Sequence, residues 1–330
     1  MTKKKKMTPR ERQHRFRIAV SFLLVYFFWG STYLAIRIAV EHLPAATLGA
    51  VRFLIAGVVM LAYCALSGRK ISLSWADAGK LLLIGVLLLT GGNVLLAYSE
   101  KYVPSGLAAL IVAIVPLWVA LIEGFVLKNG DRLNARGWIG LTLGVGGLVV
   151  LLWPQLSPLI LGGGRALDRP FLVATVAVLL GSLSWSVGSV VSRRAQVSIG
   201  PFAATGWEMT LAGAVNFLIT LGLGDLRQAQ WTWRGGAAIA YLVTFGSLVG
   251  FTAYIWLLDN VPTPKVATYA YVNPVIAVLL GWMLAGERVD RYIGIGAVVI
   301  VAAVALVTSS KLRPTAEPAR QILPACEAEA

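Results

Sequence analysis

The sequence predicts an all-α polytopic membrane protein, with ten transmembrane helices arranged as two inverted five-helix repeats. Three observations support this class: a high apolar content, apolar runs of membrane-spanning length, and an internal repeat. Hydrophobic residues make up 58% of the 330-residue chain and charged residues only 13%, whereas soluble domains contain roughly 25% charged residues. The lipid bilayer is therefore the expected environment of the chain.

The order of the elements follows from the apolar runs. Residues 1–17 form a basic tail, residues 18–153 the first repeat, residues 154–168 a glycine-containing linker, residues 169–310 the second repeat, and residues 311–330 a disordered tail. Runs of roughly 17 to 25 apolar residues span a bilayer. Such runs lie at about 18–38, 44–66, 77–99, 104–127, 136–153, 169–192, 201–222, 235–258, 263–284 and 290–309.

The orientation is predicted from the basic residues. With the N-terminus placed inside, most of the 29 Lys and Arg residues fall in cytoplasmic tails and connections, as the positive-inside rule requires. The first apolar run is too long for the apolar region of a signal peptide. We therefore expect a multi-pass protein of the inner (plasma) membrane with both termini in the cytoplasm.

The internal repeat is visible in matched residues. Pro104 and Pro116 recur with the same spacing as Pro262 and Pro274, and Trp29 with Arg37 corresponds to Trp185 with Arg193. An odd number of helices in each repeat makes the second repeat enter the bilayer upside down, and carriers of this type bind substrate near the midplane, where the repeats meet.

The prolines at 116 and 274 are predicted hinges. A proline inside a helix removes one backbone hydrogen bond at a cost of roughly 3 kcal/mol in water. Lipid-embedded helices tolerate this where neighbouring groups satisfy the freed carbonyl. We expect Pro116 and Pro274 to free the carbonyls of Val112 and Ala270 and to interrupt both helices near the midplane.

These features together resemble one known family. Trp29-Gly30-Ser31 in helix 1, Pro44 followed by Arg52 in helix 2, the mid-helix prolines, and an acidic Asp131 or Glu287 before the last helix of each repeat resemble the EamA-type drug/metabolite transporters. The similarity covers roughly residues 18–310. It implies a secondary transporter that exports amino acids and related small metabolites by alternating access. Asp131 stands where the family usually has Glu.

Other functions are weighed against this one. Uptake or exchange of similar solutes, or a channel, remains open as an alternative. An enzyme is not expected, because the only histidine outside the tails, His42, lies in a turn and provides no catalytic pair. Gly162-Gly163-Gly164-Arg165 lacks the lysine and hydroxyl of a phosphate-binding loop. No catalytic residue, metal site or cofactor is predicted.

The candidate substrate-binding residues are polar or aromatic and lie within predicted helices. They are Trp29, Ser31 and Tyr33 in helix 1, Asn93 and Tyr98 in helix 3, Trp118 in helix 4, Trp185 and Ser189 in helix 6, Tyr254 in helix 8, and Tyr269 and Asn273 in helix 9. Such a lining suits neutral or aromatic amino acids, since indole and phenol groups provide contact area and a hydrogen bond. Arg52, also inside a helix, is interpreted as a structural charge.

The expected partners are a small-molecule substrate and the bilayer. The net charge of +14 is spread over tails and short connections rather than gathered in one patch, so no nucleic acid is expected. A monomer accounts for the features of the sequence.

Overall fold

The computed structural model describes residues 9–122, 135–160, 168–261, 266 and 268–310, and their regular secondary structure is helical. The main helices are α1 (Pro9–Val40), α2 (Ala45–Leu66), α3 (Trp75–Glu100), α4 (Ser105–Leu121), α5 (Ala135–Ile160), α6 (Arg169–Arg194), α7 (Pro201–Leu223), α8 (Trp233–Tyr241 continuing through Leu242–Val249 and Gly250–Asn260), α9 (Tyr269–Ala285) and α10 (Arg291–Ser310). A short 3₁₀ turn, Asp225–Arg227, precedes α8.

Within the residues that the structure describes, seven helices are long and apolar enough to cross a membrane: α1, α2, α3, α5, α6, α7 and α8. Shorter apolar helices lie at Ser105–Leu121, Val272–Ala285 and Arg291–Val307. The prediction of an all-helical membrane protein is confirmed, and the count of ten spanning helices stays a prediction.

Two helices are longer than predicted. The described part of α1 extends back to Pro9, whereas the predicted helix began at residue 18. α5 continues to Ile160, past residue 154, where the linker was predicted to begin. The acidic residue Asp131, residues 161–167 of the linker, and the C-terminal tail lie outside the described residues.

Two helices at corresponding places widen into π-helix, in which the backbone hydrogen bonds skip one extra residue. These stretches are Val86–Val94 in α3 and Leu242–Val249 in α8. Single turns of this kind are often found at functional sites. The internal repeat therefore extends to a local backbone feature that the sequence analysis did not predict.

The two helices that contain the predicted hinge prolines differ. α4 is divided into Ser105–Val112 and Val115–Leu121, and the amide of Ile114 bonds to the carbonyl of Ile111 at 3.2 Å in a tighter turn just before Pro116. α9 runs without interruption from Tyr269 to Ala285 with Pro274 inside it. The predicted interruption is present near Pro116, whereas the described part of α9 continues as a helix through Pro274.

The helices pack in a pattern that repeats between the halves. α2 packs along α7, and α5 packs along α10. α1 contacts α8 and α9, and α6 contacts α3 and α4. Exchanging the first five helices with the second five reproduces these contacts. The first helix of each half thus lies against the third and fourth helices of the other half, and we call these two contact regions the first seam (α1 with α8 and α9) and the second seam (α6 with α3 and α4).

Candidate substrate-binding site

The first seam contains a cluster of four aromatic rings. The ring of Trp29 lies 5.0 Å from Tyr254, 5.0 Å from Tyr269 and 5.4 Å from Phe251, measured between centroids. Its indole nitrogen donates a hydrogen bond to the carbonyl of Gly246 at 3.1 Å. Offset and edge-to-face pairs of this kind orient rings specifically. We call Trp29, Phe251, Tyr254 and Tyr269 the aromatic cluster.

The position of the indole depends on a glycine in α8. A Cβ atom added at Gly250 would lie 2.4 Å from Trp29 Nε1, which is much closer than two such atoms can approach. Gly250 follows directly after the π-helical stretch of α8. The wide turn and the missing side chain together leave space for the largest side chain of α1.

Polar groups border the aromatic cluster. In the orientation that hydrogen bonding favours, the side-chain amide of Asn273 donates to the carbonyls of Tyr269 and Tyr26, both at 3.2 Å. The hydroxyl of Tyr26 lies 2.5 Å from that of Thr268. These contacts tie α1 to the beginning of α9, next to the ring of Tyr269.

The second seam uses the equivalent tryptophan of the other half. Trp185 in α6 packs on Gly92 in the π-helical stretch of α3, where an added Cβ would lie 2.9 Å from Trp185 Cε3. In the neighbouring helix, the indole nitrogen of Trp118 donates to the hydroxyl of Ser182 at 3.0 Å. The hydroxyl of Ser186 reaches the carbonyl of Val115 at 3.3 Å. Both seams therefore place a tryptophan on a glycine of the facing half.

A buried arginine lies beside the first seam. Arg52 in α2 is 6% exposed, and its Nε donates to the hydroxyl of Ser247 in α8 at 3.1 Å. A Cβ added at Gly246 would lie 3.2 Å from Arg52 Nη2, and the carbonyl of Gly246 accepts the Trp29 indole. The guanidinium of Arg52 and the indole of Trp29 therefore lie against the same short segment of α8, Gly246 and Ser247.

A small cavity of about 10 Å³ adjoins Arg52. Arg52, Asn93 and Gly49 contribute to its lining, together with apolar residues of α1, α2 and α3. This volume corresponds to about one water molecule. A solute of amino acid size does not fit in this cavity.

Comparisons with known proteins identify the family. The model of the EamA-like transporter family matches the chain twice, over residues 17–153 and 172–309. The chain belongs to the EamA-like transporter family. One match to each half agrees with the internal repeat read from the prolines and tryptophans.

Relatives of this EamA-like transporter include proteins that are named as transporters. An uncharacterized inner membrane transporter, YedA, of Escherichia coli (strain K12) is 37% identical over 295 residues, which cover 89% of this chain and 91% of the relative. The uncharacterized transporter YoaV of Bacillus subtilis is 20% identical and covers 86% and 94%. A WAT1-related chloroplastic protein of Arabidopsis thaliana is 24% identical and covers 86% and 67%.

A solved structure supports the fold. One crystal structure aligns with 88% of this chain and 96% of its own, with a TM-score of 0.61 and 21% sequence identity. This structure supports the fold alone, whereas the family match and the names of the relatives identify the chain as a membrane transporter.

Several candidate residues of this EamA-like transporter come together. Trp29, Tyr254, Tyr269 and Asn273 meet at the first seam. Trp118 and Trp185 lie at the second seam, and Asn93 lies beside Arg52.

The remaining candidates make their hydrogen bonds or packing contacts with residues outside the aromatic cluster. The hydroxyl of Ser31 lies 2.6 Å from that of Tyr241, and Tyr33 packs against the main apolar core. Ser189 bonds to the carbonyl of Trp185 in its own helix at 2.7 Å. Tyr98 is 38% exposed and contacts the ring of Tyr102.

Sequence reasoning missed the exact partners of two acidic residues. It noticed Glu287 but not its contacts: the Glu287 carboxylate accepts hydrogen bonds from the Ser105 amide at 2.7 Å, the Ser105 hydroxyl at 2.8 Å and the Gly106 amide at 3.0 Å. A carboxylate at this position stabilises the N-terminus of α4. Sequence reasoning did not single out Glu100 at all, although an acid within an apolar run was a visible signal.

Proposed function

We propose that this EamA-like transporter is a secondary carrier that exports neutral or aromatic amino acids and related small metabolites across the inner membrane by alternating access. In this proposal ten helices span the bilayer as two inverted five-helix repeats. The substrate is bound between the halves, beside the first seam. The export direction rests on the family resemblance.

The pair of equivalent seams carries the proposal. Trp29 on Gly250 and Trp185 on Gly92 are the same contact made by opposite halves. In an inverted repeat the two contacts face opposite sides of the membrane, so opening one seam while closing the other exposes the centre to each side in turn. This arrangement supports a carrier over a channel, which needs both sides open at once.

The chemistry next to the first seam supports the substrate class. The aromatic cluster provides apolar contact area. The guanidinium of Arg52 lies on the other side of Gly246 and can donate hydrogen bonds to a substrate carboxylate. Sequence reasoning favoured a purely structural Arg52. Its position beside the aromatic cluster supports a second role as the ligand of a substrate carboxylate.

Counterflow in proteoliposomes tests this function. We expect saturable exchange of labelled L-phenylalanine, competed by L-leucine and poorly competed by phenethylamine, which lacks the carboxylate. Arg52→Gln should weaken phenylalanine exchange and remove the preference over phenethylamine, because the charged donor is lost. Arg227→Gln, at an exposed site in the α7–α8 connection, is the matched control.

Each outcome of this experiment is informative. Flux that does not saturate would favour a channel, and no exchange of either amino acid would reject the substrate class. An Arg52→Gln protein that folds in lower yield but binds phenylalanine normally would leave Arg52 with a structural role alone.

The proposed topology gives a separate prediction. In a cysteine-free background, cysteines replacing Arg69 and Arg193 should react with a membrane-impermeant maleimide only from the cytoplasmic side. Cysteines replacing Arg227 and Asp290 should react only from outside. Reaction of positions 69 and 227 from the same side would contradict the inverted arrangement.

A further inference from the structure

One acidic side chain is buried without any hydrogen-bond partner. Glu100 is the last residue of α3 and is 0% exposed. Neither Oε1 nor Oε2 has a partner among the described residues. The neighbouring Ser99, by contrast, donates its hydroxyl to the carbonyl of Ala174 in α6 at 2.8 Å.

The basic groups that face Glu100 are engaged elsewhere. Arg37 of α1 interacts electrostatically with Glu100, but its guanidinium donates to the backbone carbonyl of Glu100, not to the carboxyl group, and to the carbonyl of Val103 at 3.5 Å. Arg52 of α2 interacts electrostatically with Glu100 but donates its Nε to Ser247. Neither guanidinium forms a hydrogen-bonded ion pair with this carboxyl group within the described part of the chain.

The other titratable neighbours do not compensate a charge on Glu100. Glu287, which binds the N-terminus of α4, is a second acid within electrostatic range. Tyr33 of α1 also interacts with Glu100. On α6, the polar group in contact with this end of α3 is the backbone carbonyl of Ala174, which carries no charge. Lys101, the following residue of the chain, lies over the ring of Tyr102.

Burying an ionised carboxylate without hydrogen bonds is costly, and a nearby second carboxylate adds repulsion. A bound proton removes the charge and most of that cost. Ionisable residues buried inside membrane proteins frequently belong to proton or ion pathways. The neutral acid is therefore the form of Glu100 that fits this conformation.

The location of Glu100 connects it to the movement between the halves. The last turns of α3 contact α1, α2, α4 and α6. Of these, α1 belongs to the first seam, and α4 and α6 belong to the second. Separation of these helices admits water to Glu100, and water stabilises the ionised form. Protonation then favours the packed conformation and deprotonation the hydrated one, which couples a proton to the conformational equilibrium.

We propose that Glu100 carries the coupling proton of this transporter. The carboxyl group binds a proton in the packed conformation seen here and releases it when another facing state hydrates it. One O–H bond forms and breaks in each cycle, and no oxidation or reduction is involved. This inference rests on the alternating-access function proposed above.

The protonation state can be measured without a substrate. Infrared spectra of the protein in lipid nanodiscs should contain the C=O stretching band of a protonated carboxylic acid at neutral pH, where exposed carboxylates are ionised. Glu100→Gln should remove that band. Glu208→Gln, which alters another glutamate within a helix of the bundle, is the matched control and should leave the Glu100 band in place. If Glu100→Gln leaves the spectrum unchanged, Glu100 is ionised and the proposal is wrong.

Transport measurements test the coupling itself. Glu100→Gln should keep gradient-free exchange of labelled L-phenylalanine and lose the accumulation that a pH gradient drives. Accumulation equal to wild type would overturn the proposal even if the band is lost. If wild type exchanges no phenylalanine, the proposed function fails, while the infrared result still decides the protonation of Glu100. Should Glu100→Gln not fold, Glu100→Asp keeps an acid and should shift the band rather than remove it.

Discussion

Replacing Gly250 by alanine should weaken phenylalanine binding and exchange at least about tenfold while the protein still folds. The new methyl group would lie 2.4 Å from Trp29 Nε1, so the indole must leave its position, losing its hydrogen bond to Gly246 and its contacts with Tyr254 and Tyr269. That bond contributes about 1 kcal/mol and each ring contact about 0.5–1.5 kcal/mol. Since about 1.4 kcal/mol corresponds to a factor of about ten in affinity, we expect binding at least about tenfold weaker.

The same helix provides the control for this prediction. A Cβ added at Gly236 in α8 would meet no atom within 4 Å, so Gly236→Ala should exchange phenylalanine as wild type does. Gly92→Ala should reduce exchange as Gly250→Ala does, because it displaces Trp185 at the second seam. Folding is checked by a monodisperse elution profile of each purified variant. Wild-type exchange in a well-folded Gly250→Ala protein would show that the aromatic cluster is not part of the transport path.

The helices and their repeat could be predicted from the sequence because the bilayer imposes simple constraints. A spanning helix needs a long apolar run, and the breaks between runs contain turn-forming residues such as Ile199-Gly200-Pro201. Helix ends were less predictable. Pro201 begins α7 and Pro154 lies inside α5, since the effect of a proline depends on whether it falls in the first turn or later in the helix.

The candidate site was predicted only in part, since its contacts join residues far apart in the chain. The matched positions of Trp29 and Trp185 indicated their importance, but their glycine partners in α8 and α3 depend on how the halves pack. The π-helical stretches have no simple periodic signal. Spacing alone also placed Tyr98 among the candidates, although it is exposed. Which side of a membrane helix faces lipid follows from packing, not from depth.

The two seams are equivalent in position but not in composition. The first seam has the aromatic cluster beside Arg52, whereas Trp118 of the second donates to Ser182. The two seams also differ in their backbones, because α4 is interrupted before Pro116 whereas α9 continues through Pro274. A carrier built from inverted repeats is expected to be asymmetric in any single conformation, because one half adopts the shape that the other adopts in the opposite facing state.

That asymmetry leads to the prediction that Pro116→Ala and Pro274→Ala shift the conformational equilibrium in opposite directions. Alanine restores the missing backbone amide, so each substitution allows the hydrogen bond to Val112 or Ala270 and favours the straight form of its own helix. In an inverted repeat, straightening α4 closes one side of the membrane and straightening α9 closes the other. A shift of about 1–3 kcal/mol, from part of the proline cost, changes the ratio of the two facing states by about 5- to 150-fold.

Distances between spin labels measure this shift. In a cysteine-free background, one pair at positions 101 and 227 reports the outer ends of the two halves, and one pair at 69 and 194 reports the inner ends. Pro116→Ala should lengthen one distance and shorten the other, and Pro274→Ala should do the reverse. Pro201→Ala, in the first turn of α7, where a missing amide costs nothing, should change neither. If both proline variants shift the distances in the same direction, or leave them unchanged in folded protein, the prolines are packing features and the alternation must originate elsewhere, with the glycine contacts of Trp29 and Trp185 as the next elements to test.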